Sequence, residues 1–346
     1  MLFRKEIMGK FLPIGEEAEM LAAVEENYNL EIMGFMQDGS VYLLATSMGQ
    51  KALKRSSLSA FELAYITDAL AYLAQTGFQS VVDPLMTKDG TRFFTWRDSQ
   101  YFLSDWVLGR HCDYLYEQDA ETVARDLARL HVTSRNLNFN RVPDTRWLMG
   151  MWPERFARRL DQLKAFRRTA RNRTVPQAFD QLFLKDYETY YKQGADALEQ
   201  LADSDYGGVC QEDSAKVLCH MDLAYHNILI NGQGVKFLDF DYSLVDLGLH
   251  DLADLLLRNL MLVDWRWERA QLIIDAYSSV NPLKGNVLPI LGAFLQFPHE
   301  YWQIGLQYYH EKQDWPQDYF LSRYNRKLKS PVLRSRFLNT FNLAAA

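Results

Sequence analysis

The segment 218–241 constrains this chain more than any other part of its sequence. It reads Leu-Cys-His-Met-Asp-Leu-Ala-Tyr-His-Asn-Ile-Leu-Ile and, after Asn-Gly-Gln-Gly-Val-Lys, it continues Phe-Leu-Asp-Phe-Asp. Two short apolar runs flank an Asn-Gly turn signal, and this pattern predicts a β-hairpin. Because Asn227 begins the first predicted strand, 227–230, and Asp239 follows the second, 235–238, we expect the hairpin to place their side chains side by side.

The polar residues of this segment have the order and spacing with which kinases transfer the terminal phosphoryl group of a nucleotide. In that interpretation Asp222 is the base that orients the acceptor hydroxyl and takes its proton. Asn227 and Asp239 supply oxygen ligands, which magnesium prefers. His220 completes the motif, and we expect it to support the loop geometry rather than to react.

Three alternatives accompany this interpretation. His220 and Asp222 could be loop residues whose polar groups are satisfied locally, with Asp239 and Asp241 merely ending a strand. Asp241 could instead bind a second magnesium or position the first one through water. A zinc or iron site built from His220, Asp222 and His226 is the third alternative, although no further ligand appears at a spacing that would complete it.

At these residues the chain resembles the aminoglycoside phosphotransferase and choline kinase group, the small-molecule branch of the protein-kinase-like fold. Four further segments, 52–55, 104–110, 127–131 and the Phe297-Pro298 pair ahead of an aromatic run, are similar to spore-coat CotS-type proteins of endospore-forming bacteria. The resemblance spans roughly residues 30 to 312, in order, so it covers most of the chain.

This resemblance implies an α+β, bilobal protein-kinase-like fold. Residues 1–103 would form a small N-terminal nucleotide-binding lobe with an antiparallel β-sheet and a helix, residues 104–110 a hinge connector, and residues 111–346 a larger, mainly helical catalytic and substrate lobe. Local patterns predict a helix at Leu58–Gln75 and strands at Glu31–Met36, Ser40–Thr46, Lys51–Arg55, Ser80–Asp83 and Thr91–Trp96.

The resemblance also assigns the nucleotide-binding residues. Lys54, in Ala-Leu-Lys-Arg, stands where the kinase-like fold carries a lysine that reaches the nucleotide phosphates. Ser104, Asp105 and Trp106 lie in the connector whose backbone holds the adenine edge. The implied ligands are therefore ATP and Mg²⁺.

Two points about Lys54 stay open in the sequence. Taken alone, it could be an ordinary solvated lysine of a strand. Its acidic partner is not evident either, because Glu62 is close to it in sequence while Asp68 lies later on the predicted helix with a shorter side chain.

Composition narrows the function classes. A chain of 346 residues with 48% hydrophobic and 14% aromatic residues can bury a substantial core. Its formal net charge of −6 provides no global basic surface for nucleic acid or an anionic membrane, and a neutral or cationic substrate fits better. The segment Met1–Ile7 lacks a signal-peptide pattern, and no later stretch is long and apolar enough for a membrane span.

Cysteine usage and family resemblance together suggest a location. Cys112, Cys210 and Cys219 are too few and too irregularly spaced for a disulfide framework or a structural zinc site, which fits a reducing cytosol. We therefore expect cytoplasmic synthesis, and the resemblance implies deposition in the spore coat with other coat proteins as partners.

Two regions allow more than one interpretation. The arginine-rich stretch that begins at Arg155 and ends at Arg173 could be a basic patch for nucleic acid, but a solvated helical face is the preferred interpretation. The late aromatic residues could form either the core of the helical lobe or a cage for a cationic amine. These residues are Phe294, Phe297, Tyr301, Trp302, Tyr308 and Tyr309.

The resulting functional hypothesis is an ATP- and magnesium-dependent phosphotransferase that moves the γ-phosphoryl group to a hydroxyl of a small molecule. The main alternative is a kinase-like structural component of the spore coat with weak or absent catalysis, because fold and function are separable. Phosphorylation of a coat protein or polysaccharide ranks below a small hydroxylated acceptor, since the segment after Asp239 is too short to resemble a protein-kinase activation segment.

Overall fold

The computed structural model describes residues 15–345, so the segment Met1–Ile7 lies outside the described residues. Its helices and strands are, in chain order, α1 (Glu16–Tyr28), β1 (Ile32–Asp38), β2 (Val41–Thr46), β3 (Gly49–Ser56), α2 (Ala60–Gln75), β4 (Phe94–Trp96), β5 (Ser99–Asp105), β6 (Arg110–His111), α3 (Glu117–Ser134), α4 (Trp152–Arg171), α5 (Ala178–Asp203), α6 (Tyr206–Gln211), β7 (Lys216–Cys219), β8 (Ile228–Asn231), β9 (Gly234–Phe237), β10 (Leu244–Leu247), α7 (Leu249–Leu262), α8 (Trp267–Ser278), α9 (Leu288–Gln296), α10 (His299–Gly305), α11 (Gln317–Lys327) and α12 (Pro331–Ala345). A π-helix, Leu306–His310, follows α10.

The chain divides into two compact units. The first, called the sheet unit below, contains the described residues of Met1–Cys112 together with Arg129–Trp147 and His220–Val245. The second, called the helical unit, contains Asp113–Ala128, Leu148–Cys219 and the described residues of Asp246–Ala346.

An antiparallel sheet in the order β1-β2-β3-β5-β4 forms the framework of the sheet unit. Alternation along β3 decides which side chains enter its core, because successive residues of a strand point to opposite faces. Leu53 faces Leu103 of β5 across the ladder, and both are fully buried beside residues of α1. Lys54, one residue later, therefore points away from this core.

The predicted hairpin is confirmed as β8 and β9 in the sheet unit. Ile228 pairs with Phe237 and Asn231 with Gly234, which leaves a two-residue turn. The side chain of Asn231 accepts a hydrogen bond from the Gln233 backbone at 2.9 Å, and this local bond stabilises the turn. At the open end, the backbone of Leu238 donates to the Asn227 carbonyl at 2.8 Å.

The prediction of a strand at Ser80–Asp83 is wrong, because these residues form a turn, a bend and irregular backbone. Backbone carbonyls in this region accept hydrogen bonds from the hairpin rather than from a neighbouring strand. Phe237 donates its N–H to the Ser80 carbonyl at 2.8 Å, and the Lys236 ammonium donates to the Gln79 carbonyl. The other predicted strands of this region are present with shifted ends, and the strand predicted at Thr91–Trp96 is confined to β4.

Aromatic side chains build the core of the helical unit. The ring of Tyr301 stacks on Phe183 with centroids 4.5 Å apart, and its hydroxyl donates to the Phe183 carbonyl at 2.7 Å. Phe156 of α4 stacks on Phe297 at 4.3 Å. Because Phe297 and Tyr301 are fully buried, the core interpretation of the late aromatic run holds for these two residues.

Within residues 15–345, none of the helices combines the length and the apolar character that crossing a lipid bilayer requires.

Candidate active site

Lys54 and the two carboxylates that follow β9 meet in the sheet unit. The Lys54 ammonium lies 2.6 Å from Asp239 Oδ1 and 2.7 Å from Asp241 Oδ1. The Ser56 hydroxyl also donates to Asp241, at 3.3 Å. Because the Lys54 side chain is only 11% exposed, it is not an ordinary solvated lysine of a strand, and that alternative is excluded.

The backbone at Asp239 explains why its carboxylate points back toward β3. Asp239 has left-handed dihedral angles, φ 62° and ψ 70°, which aspartate tolerates better than most residues. Burial raises the pKa of its carboxyl group, but the charge and hydrogen bond of Lys54 outweigh burial and hold the pKa below its usual value. Asp239 is therefore a carboxylate at neutral pH, as a metal ligand must be.

His220 organises the loop before the hairpin. Its Nε2 lies 2.8 Å from the Leu238 carbonyl, so Nε2 must carry the proton and donate. The other nitrogen, Nδ1, then accepts the N–H of Asp222 at 3.3 Å. With both nitrogens used inside the protein, His220 cannot share a metal with Asp222 and His226, and the zinc or iron alternative is wrong.

Asn227 fixes the side chain of Asp222. Its amide nitrogen donates to Asp222 Oδ2 at 2.8 Å and to the Asp222 carbonyl at 3.1 Å. This arrangement leaves the Asn227 side-chain oxygen without a hydrogen-bond donor among the described residues. An amide oxygen and the carboxylates of Asp239 and Asp241 are the ligand types that magnesium prefers, so this donor set fits the ion.

Glu62, one candidate partner for Lys54, is engaged elsewhere. It closes a capping box at the start of α2, where its carboxylate accepts from the backbone and hydroxyl of Ser59. Its other oxygen accepts from the Thr145 hydroxyl at 2.8 Å and from Arg146 Nε at 3.0 Å. Lys54 is therefore paired with Asp239 and Asp241 rather than with a helix glutamate.

Arg146 is the site residue that the sequence did not reveal. Its side chain is 9% exposed, and besides Glu62 it donates to the backbone carbonyls of Asp241 and Ser243. Arg146 thereby ties α2 to the turn that carries the carboxylates. The sequence carried a signal only for Glu62: Ser59 and Glu62 have the spacing of a capping box, which indicates that this glutamate binds the start of the helix.

A pH-dependent stability follows from Glu62. Burial raises its pKa, but hydrogen bonds from Ser59 and Thr145 and the charge of Arg146 bring the pKa down to about 2 from the ordinary 4.5. The ionised form therefore stabilises the folded chain fully above about pH 4.5, and this contribution is lost as the pH falls toward 2. Urea unfolding should show the wild type more stable than Glu62→Gln near neutral pH, with the gap closing in acid.

The matched control for this comparison is Glu26→Gln, because Glu26 is an exposed residue of α1 in the same unit. We expect it to unfold like the wild type at every pH. A gap between wild type and Glu62→Gln that persists undiminished near pH 2 would contradict the network.

The connector predicted at 104–110 contacts β3 at one end and the hairpin at the other, all within the sheet unit. Asp105 forms a 2.6 Å ion pair with buried Lys51, and the Trp106 N–H donates to the Gln50 carbonyl at 3.1 Å. Further along, a Cβ on Gly109 would lie 3.1 Å from the Ile230 carbonyl oxygen, so only glycine fits without displacing the hairpin. The adenine-binding role of Ser104, Asp105 and Trp106 stays a prediction.

Comparison with known proteins places this chain in a family. A family model described as "Spore coat putative kinase YutH" matches residues 21–341. Spore coat protein S of Bacillus subtilis (strain 168) is 26% identical over 297 residues, which is 84% of this chain and 82% of that protein. Endospore coat-associated protein YutH of the same organism is 23% identical over 287 residues, 82% of this chain and 81% of that protein.

Solved structures extend the likeness to the fold. An aminoglycoside phosphotransferase from Alicyclobacillus acidocaldarius superposes with a TM-score of 0.82 at 23% identity, covering 96% of this chain and 97% of that one. A spectinomycin phosphotransferase solved with ADP and spectinomycin superposes with a TM-score of 0.63 at 14% identity, covering 96% and 99%. The α+β, protein-kinase-like fold class predicted from the sequence is confirmed. The chain belongs to the YutH family of spore coat proteins, and its fold is that of the aminoglycoside phosphotransferases and choline kinases.

Proposed function

We propose that this protein is an ATP- and magnesium-dependent phosphotransferase that moves the γ-phosphoryl group of ATP to a hydroxyl of a small molecule. One observation carries the proposal: Lys54, distant in sequence, places its ammonium 2.6 and 2.7 Å from the two carboxylates that follow the hairpin. A cation beside two metal-ligand carboxylates is what binding a metal-bound phosphate chain requires. Solved proteins of this fold include one bound to ADP and one bound to AMP-PNP and Ca²⁺, which supports the nucleotide assignment.

Each residue of the site has a separate role in the proposed reaction. Asp222, whose Oδ2 is held by Asn227, orients the acceptor hydroxyl and takes its proton as the oxygen bonds to the γ-phosphorus. The bond between that phosphorus and the bridging oxygen breaks, and ADP leaves with the electron pair. Lys54 offsets negative charge on the phosphates. His220 keeps Asp222 in place through the hydrogen bond to its backbone N–H.

Magnesium, when bound, neutralises phosphate charge and lowers the barrier to transfer. Asp239, Asp241 and the side-chain oxygen of Asn227 would hold it, because these are the oxygen ligands close to Lys54 and Asp222. Asp241 also fixes the site through its backbone, since its carbonyl accepts from Arg146.

A small hydroxylated molecule is the acceptor class that the comparisons favour. Solved proteins of this fold are named as kinases of spectinomycin, amicoumacin and aminopropanol. A cationic or neutral acceptor agrees with the net charge of −6. Association with the spore coat, with other coat proteins as partners, is proposed from the names of the relatives.

A kinase-like coat component without catalysis is the second candidate. The pairing of Glu62 with Arg146 favours it, because protein kinases need a lysine–glutamate ion pair in place for activity. In this chain the corresponding lysine, Lys54, is held by the metal-ligand carboxylates instead. Nucleotide binding alone does not separate the two candidates, whereas turnover does.

Calorimetric titration of ATP, with and without magnesium, tests the nucleotide site. We expect magnesium-dependent binding by the wild type and roughly 10- to 100-fold weaker binding by Lys54→Met, because a charged hydrogen-bond partner of the phosphates is lost. Lys88→Met is the control, since Lys88 is an exposed lysine on a turn of the same unit. Equal binding by all three proteins would contradict the role of Lys54, and no binding by the wild type would contradict the nucleotide site itself.

A further inference from the structure

Three arginines of α4 form a cationic cluster in the helical unit that the proposed reaction does not use. Arg155, Arg158 and Arg159 are spaced three and four residues apart, so they share one face of the helix. The stretch was interpreted from the sequence as a solvated face, but only Arg158 of the three is exposed, while Arg155 and Arg159 are half-buried. That interpretation is wrong for these two residues.

Arg159 is held in a fixed position. One of its terminal nitrogens lies 2.7 Å from His299 Nδ1, and its guanidinium stacks 4.0 Å from the centroid of the Trp302 ring. His299 Nε2 lies 3.0 Å from the Phe294 carbonyl, so Nε2 carries the proton and Nδ1 accepts from the arginine. Burial, the charge of Arg159 and further neighbours depress the pKa of His299 well below its usual range, so the ring is neutral. A neutral partner leaves the charge of Arg159 uncompensated.

The positive charge of the cluster lacks a direct counter-charge. Among residues 15–345, no carboxylate lies within 4.0 Å of the guanidinium nitrogens of Arg155, Arg158 or Arg159. Asp246 attracts Arg155 and Glu300 attracts Arg159, both from beyond ion-pair distance. Asp246 is moreover fully buried and already accepts from the Trp152 indole, the His250 ring and the Leu247 backbone.

Crowding and helix position make this arrangement costly without an anion. Burial, followed by repulsion from Arg155 and Arg158, lowers the pKa of Arg159 to about 9. Arg155 also lies in the first turn of α4, which begins at Trp152, and a cation is unfavourable at that end of the helix dipole. An anion placed among these side chains would remove both penalties.

We propose that Arg155, Arg158 and Arg159 form a binding site for an oxyanion, the phosphate or carboxylate group of a small molecule. Guanidinium groups bind such groups through paired N–H donors, and a guanidinium already fixed by stacking loses little entropy on binding. Because Arg155 and Arg159 are half-buried, the cluster suits a small anion better than nucleic acid. A protein binds nucleic acid through cationic side chains on an exposed face. The proposal is independent of phosphoryl transfer, because it concerns the helical unit alone.

Calorimetric titration of the full chain with inorganic phosphate and, separately, with citrate tests this site at constant ionic strength and without nucleotide or magnesium. We expect saturable binding of at least one probe, weakened roughly tenfold or more in Arg155→Gln and in Arg159→Gln. Tighter binding of phosphate identifies a phosphate site, and tighter binding of citrate identifies a carboxylate site. Arg168→Gln should bind like the wild type, because Arg168 is an exposed residue of the same helix outside the cluster.

Thermal unfolding provides a second readout that a purely structural arginine would not give. Without added anion, Arg155→Met should unfold at a higher temperature than the wild type, because it removes an uncompensated, half-buried charge. The bound probe should raise the unfolding temperature of the wild type but not of Arg155→Met. Absence of saturable binding, equal binding by the Arg155 and Arg168 variants, or tighter binding of a short oligonucleotide than of either probe would overturn the proposal.

Discussion

Replacing Asp222 with Asn is expected to lower the rate of phosphoryl transfer by about 10²- to 10⁴-fold, the usual contribution of a general base. The fold should survive, because the asparagine oxygen can still accept the hydrogen bond that Asn227 now donates to Asp222 at 2.8 Å. The backbone N–H of residue 222 keeps its bond to His220. What is lost is the ability to take the acceptor proton.

The assay for this variant combines transfer with two controls. Thermal unfolding should give a midpoint within a few degrees of the wild type. MgATP should bind with similar affinity, since we assign phosphate binding to Lys54 and metal binding mainly to the carboxylates after β9, and Asp222 is none of these residues. Retention of wild-type transfer by a folded Asp222→Asn protein would remove Asp222 as the base.

Replacing Asp239 with Asn has the second largest expected effect, and it acts on binding rather than on the chemical step. The variant loses the charge of a carboxylate that we propose as a metal ligand, and this carboxylate is one of the two that hold Lys54 at 2.6 and 2.7 Å. Losing a charged partner of this kind reduces the binding free energy by up to about 3 kcal/mol, which corresponds to roughly 10²-fold in affinity. Magnesium-dependent ATP binding should weaken by that factor. Asparagine also tolerates the left-handed backbone of this position, so the turn should persist.

Calorimetry with and without magnesium separates the metal effect from a general loss of nucleotide affinity. Binding without magnesium should change less than binding with it, because the variant removes a carboxylate that we propose as a ligand of the ion. Asp38→Asn, at an exposed end of β1 in the same unit, is the matched control and should leave both values unchanged. Equal losses with and without magnesium would contradict the assignment of Asp239 as a metal ligand.

The hairpin and its flanking polar residues could be predicted because their geometry is local. The Asn-Gly signal between two apolar runs predicts a hairpin. In the structure Asn231 pairs with Gly234, so Gly232 and Gln233 form the turn, and the same register brings the Leu238 N–H to the Asn227 carbonyl. The pairing of Lys54 with Asp239 was not predicted, because the two residues are 185 positions apart and the sequence pointed only to Glu62 and Asp68 as acidic partners.

Arg146 could not be predicted for the opposite reason. It is 84 residues from Glu62 in sequence, and its other two bonds go to backbone carbonyls, which carry no residue-type signal. The false strand at Ser80–Asp83 has a similar origin. Its apolar pattern is real, but the carbonyls of Ser80 and Val81 accept hydrogen bonds from Phe237 and Lys236 of the hairpin, which lies more than 150 residues away in sequence.

The arginines of α4 show a limit of helical periodicity. Spacing correctly predicts that Arg155 and Arg159 share a face, but it does not tell what packs against that face. In the structure, Trp302 and His299 cover Arg159. The sequence pattern therefore predicts a solvated face on α4, whereas the structure shows that neighbouring side chains partly cover this face.

Magnesium-dependent consumption of ATP by the purified protein tests the central claim most directly. The wild type and Asp222→Asn would be assayed side by side against amino alcohols, aminoglycosides, sugars and an extract of spore coat, with mass spectrometry of the acceptor. Our account predicts that at least one acceptor gains a phosphoryl group with the wild type and not with the variant. Absence of any transfer by a wild-type protein that demonstrably binds MgATP would contradict it and favour a structural role in the coat.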